Sequence, residues 1–345
     1  MTAKARDLII SYTEDLQLLR TGVQKFWFGI LLLTLAIAPW AGASLGGNYI
    51  PYLLNLTGIS VIVALGVNLI IGWAGLISLG QAAFLAVGAY TSGILVNQLG
   101  FPFGLALIAA GLFSGLLGLI VGLPALRLKG LYLALATLAF QFILQHILVH
   151  AESLTGGPNG MMVPRPKYLD TDIRYYYIIT SIAVLLAFGM TNLARSRFGR
   201  AFIALRDSDV AAEAVGVNLA YYKTLAFGLS SAYTGIAGSL FAHYYNYIGP
   251  DHFTLPLSIE YIVMIIVGGI GSILGSILGA IFITLMPEGV RLLESWAREI
   301  APHLVFPDLR AIVVGAVLIL FIAFEPEGLA GRWRKIKEYW TEWPF

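Results

Sequence analysis

Residues 75–93 read GLISLGQAAFLAVGAYTSG. The stretch is close to the roughly 20 apolar residues that cross a bilayer as a helix. Yet it is poor in large aliphatics, rich in Gly and Ala, and holds one amide, Gln81. Its surroundings set the solvent. Between Lys25 and Arg127 there is no Asp, Glu, Lys or Arg. A charge-free run of that length fits a lipid environment, where only closed backbone structures such as helices can span. The whole chain agrees: of 345 residues, 58% are hydrophobic and 12% charged, against about 25% charged in soluble domains. The fold class expected is an all-α integral membrane protein, a polytopic helical bundle.

Apolar runs place spans near 26–40, 50–71, 75–97, 102–123, 130–149, 174–193, 224–246, 257–270, 272–287 and 309–325. Residues 26–38 with Ala41-Gly42-Ala43 also fit a signal peptide. The preceding segment is long for such a leader and includes Asp7, Glu14 and Asp15, which favours a retained first helix. The polar segment 1–25 could lie on the membrane surface. Residues 257–287 read as two short spans broken at Gly268-Gly269-Ile270-Gly271-Ser272, as a re-entrant hairpin, or as one long helix. Lys and Arg concentrate in 1–25, 124–130, 194–223 and 326–345. Placing all four inside requires about ten transmembrane helices with both termini cytoplasmic. The domains are then a cytoplasmic segment 1–25, a transmembrane domain 26–325 and a cytoplasmic tail 326–345. Tyr175, Tyr176, Tyr177, Trp333 and Trp340 suit interfacial belts.

Lipid tails are as apolar as leucine, so helices in a membrane associate through small residues that let backbones approach. Ser78, Ala82 and Ala86 are spaced as one helical stripe, Ser114, Gly118 and Gly122 as a second, and Gly271, Gly275 and Gly279 as a third. Together they predict a compact bundle in which 75–93 faces protein.

The segment 195–223, RSRFGRAFIALRDSDVAAEAVGVNLAYYK, is the sizeable loop on the basic side. Asp207, Ser208 or Asp209 can cap a helix, Asp209 and Glu213 suit the positive end of its dipole, and Gly216 is a natural stop. A short helix near 209–215 follows, with Ala211, Ala212 and Ala214 on its surface. It fits either a groove on another protein or the membrane surface.

Several chemistries have no foothold. The chain has no cysteine, which excludes disulfides and thiolate catalysis. It has no G-x-x-x-x-G-K-[ST] sequence, so no phosphate-cradling loop of that type. His146 and His150 share a helical face but lack an obvious third ligand, so no metal site is expected. No catalytic residues stand out, and nothing points to nucleic acid. Glu260 is the acidic residue most plausibly within a span; such groups are functional candidates, with an interfacial position as the alternative.

The motifs GLISLGQAAFLAVGAYTSG, RLKGLYLALATLAF (127–140), LTGGPNG (154–160), SRFGRAFIALRDSDVAAEAVGVN (196–218), KTLAFGLSSAYTGIAGSLFAHYYNYIGPDHF (223–253) and GGIGSILGSILGA (268–280) resemble, in order, the LivM-type permease subunit of branched-chain amino acid ABC importers. Asp209–Gly216 resembles the ATPase-coupling loop of such permeases. The resemblance implies coupling residues Arg206, Asp207, Asp209, Ala212, Glu213 and Gly216. It also implies a homologous second permease subunit, two ABC ATPase subunits that use ATP and Mg, and an external solute-binding protein, with no cofactor on this chain. The setting implied is a bacterial inner membrane. Many relatives carry an acidic residue after the motif matching 137–140; here Gln141-Phe142-Ile143 follows, which leaves substrate identity open among branched-chain or related neutral amino acids, urea and small organic acids. Uncharged polar residues within spans, Asn55, Asn68, Gln81, Gln141, Ser230, Ser231 and Thr234, are candidates for the translocation pathway or for bonds between helices. A self-sufficient channel or secondary transporter is the alternative from another class. An intramembrane enzyme is disfavoured for want of clustered carboxylates, histidines or a thiol.

Overall fold

The computed structural model describes residues 22–300, 309–325 and 327–342. Most of the expected N-terminal segment 1–25 and the ends of the tail 326–345 lie outside the described residues. The chain divides into two compact units, Met1–Pro51 and Tyr52–Phe345. In the first, helix α1 (Gly22–Gly46) contains Pro39 and covers the expected span 26–40. The Ile50 side chain fills the space beside Gly42 and Gly46.

The second unit is built from α2 (Tyr49–Val67, which begins in the first unit), a π-helical turn (Asn68–Trp73), α3 (Gln81–Leu99), α4 (Phe103–Gly122), α5 (Leu131–His150), α6 (Asp172–Arg195), α7 (Arg197–Asp207), α8 (Asp209–Ala214), α9 (Leu219–Tyr245), α10 (Leu255–Gly268), α11 (Ile273–Ile300), α12 (Leu309–Phe324) and α13 (Gly328–Glu342). Two short strands, β1 (Met161–Met162) and β2 (Tyr247–Ile248), pair antiparallel, Met161 opposite Ile248. Nine helices among the described residues are long and apolar enough to cross a membrane. The remaining expected span, 309–325, is the apolar α12, 16 residues long. The protein is a polytopic helical membrane protein.

Helix α9 is the axis of the second unit, and α3 and α4 pack against it and against each other. The contacts run through small residues. A Cβ on Gly88 of α3 would collide with the carbonyl oxygen of Gly235 on α9. Along α4, Ser114, Gly118 and Gly122 face α9: Ser114 Oγ donates to the Ser231 carbonyl at 2.8 Å, Gly118 meets Ser231, and Gly122 meets Phe227. This expected stripe therefore forms.

The other two stripes need correction. The expected span 75–97 does not begin at Gly75. The chain leaves the π turn, Gly75 takes φ +67°, and 75–80 runs without regular structure before α3 starts at Gln81. Ser78 is thus off the helix that carries Ala82 and Ala86, although all three are buried. Non-helical backbone at membrane depth is tolerated only where protein satisfies its polar groups. Here Thr137 Oγ1 of α5 accepts from Leu79 N at 2.9 Å, and Ser258 Oγ of α10 accepts from Ala82 N at 2.8 Å. Gly271 is likewise in the turn before α11, not on the helix of Gly275 and Gly279. Those two do pack: Cβ atoms there would strike the Gly268 and Met264 carbonyls of α10. Residues 257–287 are therefore two helices broken at Gly269.

The aromatic belt also changes. Tyr177 is exposed, but Tyr175 and Tyr176 are buried, and Tyr175 Oη donates to the Leu240 carbonyl at 2.9 Å. The tail contains α13, which packs on α10 and α11, with Glu325–Arg332 and Glu327–Arg334 ion pairs near its start.

Candidate functional site

The segment 195–223 holds two complete helices, of which sequence reading found one, and the first residues of α9 from Leu219. Helix α7 starts at an N-cap, Ser196 Oγ accepting from Phe198 N at 3.1 Å. Its buried face is Ala201, Phe202 and Leu205. Ser208 then separates α7 from α8. Of the three expected caps it is Ser208 that acts, its Oγ accepting from Ala211 N at 3.3 Å. The helix stops where expected. Gly216 adopts φ +87°, which a residue without Cβ does freely, and Val217 N donates back to the Ala212 carbonyl at 3.0 Å.

Asp209 anchors α8 from beneath. Its Oδ2 lies 2.8 Å from Lys223 Nζ and 2.9 Å from Lys129 Nζ. Lys223, at the start of α9, is 3% exposed. Burial by itself pushes the Asp209 carboxyl up, but the hydrogen bonds and charges of the two lysines outweigh it and hold the carboxyl below its ordinary value. Ala212 is the buried residue of α8. Its outward face carries Val210 at 75% and Val215 at 78% exposure, with Glu213 and Gly216 also exposed. Val210 on α8 and Val215 just past its end are thus two exposed apolar side chains beside the Asp209 anchor.

Arg206 and Asp207, at the end of α7, bond each other, Arg206 Nη2 to Asp207 Oδ1 at 3.2 Å. Arg206 also reaches inward: its Nη1 donates to the Gly72 carbonyl of the π turn at 3.0 Å.

The uncharged polar candidates are all buried, and the structure gathers only some of them. Gln81, Ser230 and Thr234 meet where α3 crosses α9. Thr234 Oγ1 donates to Gln81 Oε1 at 3.2 Å, and Gln81 Nε2 approaches Ser230 Oγ at 3.5 Å, a long contact. Ser231 faces α4, and its Oγ is buried without a hydrogen bond. The other three lie elsewhere and tie backbone. Asn55 Nδ2 donates to the Asp172 carbonyl at 2.9 Å, Gln141 Nε2 to the Phe253 carbonyl at 2.7 Å, and Asn68 Oδ1 accepts from Gly271 N at 2.8 Å.

Two clusters escaped the sequence reading. Ser239 and His243, one turn apart on α9, join Ser92 of α3 in a buried chain. Ser239 Oγ donates to Ser92 Oγ at 2.8 Å, and Ser92 Oγ lies 3.0 Å from His243 Nε2. His243 Nδ1 lies 2.9 Å from the Pro164 carbonyl. A carbonyl only accepts, so Nδ1 carries the proton and Nε2 accepts from Ser92. The i, i+4 spacing of Ser239 and His243 was a visible signal. The second cluster lies at the end of the bundle away from α8. There Arg165 pairs with Asp172 at 3.0 Å, donates to the Tyr244 carbonyl at 2.8 Å and stacks over the Tyr175 and Tyr244 rings. His146 and His150 stack with ring centroids 3.9 Å apart, and among the described residues no three His, Asp or Glu gather in a way that could hold a metal ion. Glu260 sits half-buried in the second turn of α10.

The structure thus joins a buried polar contact between α3 and α9 to a surface helix anchored at the base of α9. Comparison with known proteins shows the family. Residues 49–322 match the family described as branched-chain amino acid transport system / permease component. The chain is 31% identical over 335 residues to the high-affinity branched-chain amino acid transport system permease protein LivM of Escherichia coli, covering 89% of this chain and 75% of that one. It is 26% identical to a probable LivM of Methanocaldococcus jannaschii, over 79% of this chain and 90% of the relative. It is 23% identical to LivH of Escherichia coli, over 84% and 94%. No solved structure matches the chain significantly.

Proposed function

The chain belongs to the branched-chain amino acid transport system permease family, and on that premise we propose that it is the membrane-spanning permease subunit of an ATP-driven ABC importer moving branched-chain or related neutral amino acids into the cell. It works as a transport component and transforms nothing chemically. The observation that carries the proposal is α8: a short, capped helix, locked to the base of α9 through Asp209 and Lys223, that presents Val210 and Val215 to whatever docks there. This chain has no P-loop sequence, so the energy of ATP and Mg enters through two partner ATPases seated on α8. Arg206, Asp207, Asp209, Ala212, Glu213 and Gly216 form the receiving loop.

The match to both LivM and LivH supports a homologous second permease as partner. An external binding protein delivers the solute at the opposite end. Both termini and the 195–223 loop then face the cytoplasm of a bacterial inner membrane. Gln81, Ser230 and Thr234 offer the solute uncharged groups where α3 crosses α9, while Asn55, Asn68, Gln141 and Ser231 serve helix contacts. An uncharged lining lets an apolar side chain slide without being held, and selectivity rests with the binding protein.

The test is uptake into proteoliposomes carrying the chain with its second permease, ATPases and binding protein. Labelled leucine, urea and a small organic acid are offered in turn. The proposal expects leucine uptake that requires ATP; uptake of urea or the acid alone would reassign the substrate. Glu213→Arg and Gly216→Leu should keep ATP hydrolysis but lose uptake, and normal uptake in both would remove α8 from the mechanism.

A further inference from the structure

Three interruptions of regular structure meet at one place near α8. The first is the π turn Asn68–Trp73, where α2 changes its hydrogen-bonding pattern. The second is the break at Gly269–Gly271 between α10 and α11. The third is the end of α7, where Arg206 precedes the Ser208 hinge into α8. They are bonded to one another. Asn68 Oδ1 accepts from Gly271 N at 2.8 Å, and Trp73 Nε1 donates to the Gly271 carbonyl at 2.9 Å. The π turn therefore grips both backbone groups of one glycine. Arg206 Nη1 donates to the Gly72 carbonyl at 3.0 Å. The fit is tight: a Cβ on Gly72 would lie 2.6 Å from Gly271 N, one on Gly75 would lie 3.0 Å from Arg206 Cγ, and one on Gly271 would lie 3.2 Å from Arg206 Nη1.

We propose that Arg206, the Asn68–Trp73 π turn and the Gly269–Gly271 break form a transmission node, in which Arg206 is the positioning residue that carries displacement of α8 into α2, α10 and α11. The inference rests on the coupling-loop reading and deepens it, naming where the loop's motion enters the bundle. Arg206 suits the task. Its guanidinium spans two partners, with Nε and Nη2 on Asp207 at 3.3 and 3.2 Å and Nη1 on Gly72. A planar fork holds such a geometry, whereas an ammonium is a point charge that holds one bond without direction. The receiving elements are those with an alternative arrangement close by. π-helical turns are single-turn interruptions that recur at functional sites, and hinges are a few element-terminal residues that absorb backbone change. The other ion-pair anchor of the loop, Asp209, pairs with Lys223 at the start of α9 and with Lys129 before α5. Arg206 is the loop side chain whose hydrogen bond enters the π turn.

The proposal assigns Asn68 a different task from pathway lining. Its amide oxygen holds the break, and its Nδ2, buried and without a hydrogen-bond partner, is free to take a new acceptor when the node shifts.

The experiment measures labelled leucine taken up per ATP hydrolysed by the complete reconstituted transporter. Arg206→Ala should keep assembly and hydrolysis but lower the uptake-to-hydrolysis ratio about tenfold, within the 5–150-fold range typical of coupling between linked sites. Arg206→Lys, which retains a donor for Gly72, should recover part of the ratio. Arg200→Ala removes the same charge from the same helix and should leave the ratio at the wild-type value. A merely structural role would lower assembly and both rates together, with the ratio unchanged. An unchanged ratio in Arg206→Ala overturns the node, as does an equal loss in Arg200→Ala. If the wild-type complex hydrolyses ATP but takes up none of leucine, urea and the organic acid, the coupling-loop reading itself fails, an outcome separate from these.

Discussion

At the residue scale, the bundle is held by what is missing from its glycines. Gly88 and Gly235 bring α3 and α9 so close that a methyl group on Gly88 meets a carbonyl oxygen. Overpacking of this kind costs about 1–3 kcal/mol, so Gly88→Ala should lower the thermal midpoint of the purified protein; an unchanged midpoint would contradict the contact. Gln81 shows how far one residue type can be read. Its burial was legible, because an amide in a charge-free run must find partners inside protein. Its partners Ser230 and Thr234 were not, since they stand 149 and 153 positions away and nothing local pairs them. Asn68 shows the converse: the same amide, equally buried, holds a backbone break that no local pattern announces.

At the element scale, α8 was legible because its determinants are local. A hydroxyl cap, an acidic first turn and a terminal glycine lie within nine residues, 208–216. Helix α7 was missed because its stabilising face, Ala201, Phe202 and Leu205, is ordinary until it is packed. The start of α3 was missed for a different reason. Hydropathy runs evenly through 75–80, and the acceptors that permit a non-helical path come from Thr137 and Ser258 on other helices. The clamp on α8 makes a prediction about pH. The Asp209 carboxyl is held below its ordinary value, so its stabilisation is complete above the unfolded carboxyl pKa and is lost as pH falls through the lower, folded value. Coupling should therefore show no Asp209-dependent change between neutrality and about pH 5, well above an ordinary aspartate pKa. Asp209→Asn should loosen α8 at neutral pH by about 1–3 kcal/mol, less than the 3–5 kcal/mol of a fully buried pair because Lys129 is 65% exposed. Hydrogen exchange of the α8 amides reads this directly. Wild-type-like protection in the variant would remove the clamp from the account.

At the scale of the whole molecule, class and family were both legible, since composition and charge distribution report the solvent and six motifs in order report the relatives. Which side of the membrane each end faces is open to measurement, and the absence of cysteine makes that simple. Met162, 73% exposed beside β2, and Glu213 on α8 lie at opposite ends of α9. In intact cells a membrane-impermeant thiol reagent should label Met162→Cys and should reach Glu213→Cys only after the membrane is opened. The reverse pattern would invert the proposed topology and remove α8 from the compartment that holds ATP.

The central claim is that solute moves through this chain only when energy is delivered to its 195–223 loop from outside. The most direct measurement is labelled leucine uptake by proteoliposomes that hold the chain alone, compared with the same vesicles supplied with second permease, ATPases, binding protein and ATP. Accumulation in the complete set and none by the chain alone is the predicted result. Leucine accumulation by the chain alone, with no ATPase present, would contradict it and make the protein a self-sufficient transporter.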